Sequence, residues 1–102
     1  MFIVFTTTPD RALANMLADR LVVEKLAACV QILPQMTSVY FWEGEVRRDE
    51  EHLLLIKTLP EKFEALESFI KENHTYDEPE IAAIESSRVS PGYQRWLERY
   101  LG

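Results

Sequence analysis

The run Phe2-Ile3-Val4-Phe5-Thr6-Thr7 is β-branched or aromatic throughout and shows no polar alternation. Successive side chains on a strand point to opposite faces, so a strand of this make-up seeks cover on both. The run therefore predicts a buried central strand, and the rest of the chain has to supply its neighbours. Thr8-Pro9-Asp10 follows as a helix start, with Thr8 as the cap, Pro9 at the first helical position and an acid in the first turn. Leu13, Met16, Leu17 and Leu21 recur at helical spacing, with Arg11, Asn15 and Asp19 on the opposite side.

The later signals alternate in the same way. Ala27 to Leu33 reads as a small apolar strand ended by Pro34, and Val39 to Trp42 as a third strand with wide aromatics. Glu43-Gly44 marks a hairpin tip, because glycine takes the positive φ that such a turn requires. The chain returns through the charged stretch 45–51 into the strand Leu53 to Thr58. Pro60 opens a second helix with Phe63, Leu66 and Ile70 inward and Glu67–Lys71 as a surface pair. Ile81 to Ile84 is a short last strand. Ser90-Pro91-Gly92 opens a terminal helix carrying Tyr93, Trp96, Leu97 and Tyr100.

The expected order is β-α-β-β-α-β plus a C-terminal helix. That is an α+β, ferredoxin-like split βαβ arrangement in one domain spanning residues 1–102. Its helices cover one sheet face and leave the other open. An aromatic hairpin that projects from such a sheet is poorly stable alone. A homo-oligomer that buries the hairpin on a neighbouring subunit is the economical solution.

Charge limits the partners. With 17 acidic and 11 basic residues the formal net charge is −6, which repels phosphate backbones and argues against nucleic acid. The single cysteine allows no internal disulfide and points to a reducing compartment. The apolar start Met1 to Phe5 is too short for a signal peptide, and no stretch approaches a membrane span. A cytoplasmic protein with no membrane partner is expected.

The chemistry concentrates in His74-Thr75-Tyr76-Asp77-Glu78-Pro79-Glu80-Ile81, which holds an imidazole, a phenol and three carboxylates around a proline. Imidazole suits copper, zinc or nickel, and carboxylates suit harder ions, so the segment reads as a metal or polar-ligand site. The same residues also read as a helix-to-strand turn, with His74 at the end of the second helix and Tyr76 packing. Cys29, in an alanine-lined strand, is expected to be buried and inert. His52, behind Asp49-Glu50-Glu51, is expected to be a solvated edge-strand histidine. Tyr40, Phe41, Trp42 and Trp96 are expected at core or subunit contacts, or lining a ligand pocket. Lys57 interrupts an apolar strand and calls for a carboxylate, either Glu80 or Glu51. There is no Gly-rich phosphate loop, no Cys-x-x-Cys and no His-Glu-x-x-His, so a binding role is expected rather than an enzyme.

Several motifs fall in a recognisable order: Leu26-Ala27-Ala28-Cys29-Val30, Ser38-Val39-Tyr40 with Trp42-Glu43-Gly44, Glu51, Lys57-Thr58, His74-x-Tyr76, Pro79-Glu80-Ile81, and Tyr93 with Trp96. Together they resemble the CutA family of divalent-cation tolerance proteins over nearly the whole chain. The resemblance implies a trimer with intersubunit sheet pairing and a link to copper and other divalent metals. It implies His74 and Glu80 as metal ligands, Lys57, Tyr76 and Trp42 as ligand-binding residues, and divalent metal (copper or a similar ion) at clefts between subunits. The family's trimer is similar to that of the PII signalling proteins. The alternative is thus a PII-like module that binds a small effector and docks on a partner protein. A small enzyme using His74, Tyr76 and Lys57 as an acid–base set is a third reading. The chain departs from the family in having Thr75 after the histidine, the acid Glu78 before Pro79-Glu80, and Thr6-Thr7-Thr8 where some members carry a first-strand cysteine. A soft Cu(I) site of that form is not expected.

Overall fold

A computed structural model describes residues 1–102. Five strands and three helices follow in the order β1 (Phe2–Thr8), α1 (Arg11–Val23), β2 (Cys29–Ile32), β3 (Met36–Trp42), β4 (Glu45–Thr58), α2 (Phe63–Asn73), β5 (Ala82–Glu85) and α3 (Pro91–Leu101). All pairings are antiparallel. The sheet order is β2-β4-β1-β5, with β3 paired to the first half of β4. None of the helices is long and apolar enough to cross a membrane.

The first strand is central, as its composition requires. It pairs with β4 from Phe2↔Thr58 to Thr8↔His52 and with β5 from Phe2↔Glu85 to Phe5↔Ala82. Val4, Thr6 and Thr8 are fully buried on one face. That face belongs to the main core, where Val4, Leu54 and Ile56 of the sheet meet Leu13, Leu17 and Leu21 of α1 and Leu66, Phe69 and Ile70 of α2. The opposite face carries Ile3, Phe5, Leu53 and Leu55, each only half-buried. Helix α3 builds a smaller core of its own, placing Leu97 and Leu101 against Ala28 and Leu59.

The helix starts differ from expectation in a definable way. Asp10, in extended backbone, is the true cap of α1: its carboxylate accepts from the Leu13 N–H at 2.8 Å. The Thr8 hydroxyl instead donates to the Asp10 carbonyl at 2.9 Å, so Pro9 lies outside the helix. Pro60 opens a single 3-10 turn, Pro60–Lys62, which runs into α2.

Strand β4 extends well beyond its apolar run. The charged stretch 45–51, the return arm of the expected hairpin, is the first half of one 14-residue strand. At roughly 3.3 Å per residue such a strand reaches about 46 Å, which matches the 45 Å long axis of the molecule. Its second half is the middle of the sheet. Its first half leaves the body with β3 as a two-stranded ribbon, from Met36↔Glu51 to Trp42↔Glu45. The ribbon closes through Glu43 (φ 49°) and Gly44 (φ 84°), both left-handed, as a two-residue turn of the primed type requires.

Candidate functional site

The ribbon has two unlike faces, because cross-strand partners share a side. Ser38, Tyr40 and Trp42 look the same way as Asp49, Arg47 and Glu45. Val39 and Phe41 look the other way, beside Val46. These last three are 55%, 70% and 69% exposed. The expected contact trio Tyr40, Phe41 and Trp42 is therefore divided. Phe41 cannot share a surface with its two neighbours, since adjacent strand residues face opposite ways.

Between the polar ribbon face and the 74–81 connection lies a cleft of about 760 Å³. β1 and β4 contribute Thr7 and Glu51, the ribbon Tyr40, Trp42, Glu43 and Arg47, and the connection Tyr76, Asp77, Glu78 and Glu80. Five carboxylates thus face a single guanidinium, and that guanidinium is held by ribbon acids, 3.4 Å from Glu45 and 4.0 Å from Glu43. The donor set is almost wholly oxygen.

Two phenol–carboxylate pairs stiffen the cleft. The Tyr76 hydroxyl donates to Glu51 Oε2 at 2.8 Å, and the Tyr40 hydroxyl donates to Asp49. Burial, then the hydrogen bond and the charge of Glu51, push the Tyr76 phenol well above the ordinary tyrosine range. The Tyr40 phenol is raised too, first by its hydrogen bond to Asp49. The Trp42 indole N–H donates to Glu43 Oε1 at 3.0 Å.

The expected metal pair of His74 and Glu80 is not assembled in the single chain. Glu80 lines the cleft. His74 does not; its Nδ1 accepts the Tyr76 N–H at 3.0 Å and its Nε2 meets the Thr7 carbonyl at 2.7 Å. Both ring nitrogens are spoken for by backbone groups, so the imidazole offers no free lone pair. No group of three His, Cys, Asp or Glu side chains converges in metal-holding geometry.

Lys57 stands apart as well. It pairs with Cys29 and Ile3 in the body of the sheet, six residues along β4 from Glu51, about 20 Å at strand spacing. Its expected partners Glu51 and Glu80 are at the cleft, and its ammonium lies instead 5.8 Å from the centre of the Tyr93 ring. Hence Trp42 and Tyr76, expected to bind ligand, both line the cleft without Lys57, and the acid–base set His74, Tyr76 and Lys57 does not form. Trp96 packs beside Tyr93 at 5.4 Å between ring centres and is 44% exposed.

Three further expectations change. Cys29 is half-buried on the edge strand β2, not sealed in the core. His52 is buried, and its Nδ1 faces the Leu33 carbonyl at 3.0 Å, tying the end of β2 to β4. Arg47 and Thr7 are the cleft residues that sequence reasoning passed over. The pairing signal for Arg47 was present, two strand positions from Asp49 and so on the same side of the ribbon.

Comparison with known proteins gives a consistent result. The family model described as CutA1 divalent ion tolerance protein matches residues 2–100. A protein of Arabidopsis thaliana named Protein CutA, chloroplastic, is 45% identical over 96 residues, 94% of this chain and 53% of its own length. A protein of Thermus thermophilus named divalent-cation tolerance protein CutA is 42% identical over 100 residues, 98% of this chain and 97% of its own. The chain thus spans about half of the plant relative and nearly all of the bacterial one. The solved Thermus thermophilus structure superposes with a TM-score of 0.96, covering 100% of both chains at 42% identity.

Proposed function

The chain belongs to the CutA1 divalent ion tolerance family, and from that premise we propose that it is a non-enzymatic homotrimer that binds divalent cations in the ribbon–loop cleft, with a neighbouring copy completing each site. The observation that carries this reading is the set of five carboxylates against one already-paired arginine. Such a cleft attracts cations and repels anions before any bond forms. We read the strand order β2-β4-β1-β5 as the ferredoxin-like arrangement, with the ribbon as its added arm. The lone cysteine fits a reducing compartment, and the cytoplasm is the proposed location.

The donors also set the kind of ion. Carboxylate, hydroxyl and phenol oxygens suit Mn²⁺, Mg²⁺ and Ca²⁺, and among first-row divalent ions Cu²⁺ binds such donors well. Cu⁺ needs thiolate or thioether, and neither Cys29 nor a methionine lines the cleft. Copper tolerance would then act through the divalent state. Glu51 and Glu80 are the residues expected to hold the ion. Tyr76 orients Glu51 through its hydroxyl, and Trp42 orients Glu43.

Calorimetric titration with Mn²⁺ and Cu²⁺ tests this. Glu51→Gln keeps an acceptor for the Tyr76 hydroxyl and removes only charge, and Glu80→Gln removes the charge of an exposed cleft side chain. Each is expected to weaken binding roughly tenfold. Identical isotherms for wild type and both variants would place the ion elsewhere.

A further inference from the structure

The 74–81 connection supplies three of the five cleft carboxylates, yet almost nothing regular holds it. No backbone–backbone hydrogen bond involves residues 75–81. The bonds that fix this segment come from two side chains. His74 bridges the Thr7 carbonyl of β1 and the Tyr76 N–H, and Tyr76 reaches on to Glu51 of β4. The two rings also lie against each other, with centroids 4.8 Å apart and planes tilted by 33°. A continuous chain thus runs from β1 through His74 and Tyr76 to β4, around the wall of the cleft.

The protonation of the imidazole follows from its partners. A backbone N–H can only donate, so Nδ1 must be the bare, accepting nitrogen. A carbonyl can only accept, so Nε2 must carry the hydrogen. Only the neutral Nε2–H tautomer satisfies both neighbours. From this geometry we infer that His74 is a positioning residue: a fixed-tautomer clasp that sets the distance between the carboxylate-bearing loop and the sheet, and so sets the affinity of the cleft without touching the ion. This assignment rests on the cation reading for its functional consequence, and on the hydrogen bonds alone for the clasp itself.

Two measurements on the chain of residues 1–102 separate these. First, ¹⁵N–¹H spectra of the histidine rings should show His74 as a neutral ring with hydrogen on Nε2 and a bare Nδ1. Those shifts should hold when Zn²⁺, which is diamagnetic, is added to saturation. Coordination of Zn²⁺ by either His74 nitrogen overturns the assignment. Second, amide hydrogen exchange should read the clasp with no metal present. His74→Ala should speed exchange at Tyr76 at least several-fold and weaken Zn²⁺ about five- to tenfold, the effect expected from losing about one net hydrogen bond. His74→Asn can accept the N–H two residues on, as an Asx turn, and should restore protection at Tyr76. His74→Gln keeps only the reach toward Thr7 and should not. Unchanged Tyr76 exchange in His74→Ala sinks the clasp whatever the metal data show. If wild type binds no divalent ion, the cation reading of the cleft fails, and the exchange comparison still decides the clasp.

Discussion

Tyr76 gives up its proton late because burial, aided by the Glu51 carboxylate, stabilises the neutral phenol. The folded-state value lies above the ordinary tyrosine value near 10, so this stabilisation is complete below about pH 10 and is lost as pH rises through the raised value. Absorbance titration of the phenolate band should show a step well above the ordinary tyrosine range, and Tyr76→Phe should remove it. A titration with no step above that range, or one that Tyr76→Phe leaves in place, would contradict it. Thr6 gives a second test at this scale. Its hydroxyl is fully buried and has no hydrogen-bond partner. Such a group costs about 1–3 kcal/mol, so Thr6→Val should raise the denaturant midpoint by a measurable part of that. Residue types at the cleft were legible, since the phenol and carboxylates of residues 74–80 do line it. The roles were not, because a sequence does not say which backbone groups will claim an imidazole's lone pair.

Elements were legible wherever periodicity and burial coincide, as in β1, α1 and α2. Bounds were less legible where charge interrupts the pattern. The stretch from Glu45 to Glu51 carries one apolar side chain, Val46, on the outer face of the ribbon, and sets Glu45, Arg47 and Asp49 on the cleft side. Its strand character comes from pairing with β3, which no local pattern in 45–51 encodes. Cap choice was similarly close: Thr8 and Asp10 are both cap formers, and the extended backbone at Asp10 decided between them. Asp10→Ala is therefore expected to cost about 1 kcal/mol of stability, read as a lowered thermal midpoint. A midpoint unchanged by Asp10→Ala would return the cap to Thr8. The alternation of Tyr40, Phe41 and Trp42 was readable from the period of two, and treating the three as one surface overlooked it.

The whole molecule is an elongated body, 45 × 25 × 23 Å, with an apolar outer ribbon face of Val39, Phe41 and Val46. In the proposed trimer that face packs on a neighbour. Phe41→Ser should shift sedimentation toward the single chain at low micromolar concentration and leave the far-ultraviolet spectrum unchanged. Trp42→Ala, on the cleft side, should disturb assembly less than Phe41→Ser. The reverse ranking would mean that the partner sits in the cleft instead. Fold class and element order came through from sequence, whereas the faces of the ribbon needed the register. One unbroken strand, β4, runs from the turn to the middle of the core, and this makes the arm's parity rigid. A single-residue insertion or deletion between Glu51 and Leu53 would roll every side chain beyond it to the reverse side, offering phenylalanine to the loop and carboxylates to the neighbour. The arm can lengthen or shorten only by even steps.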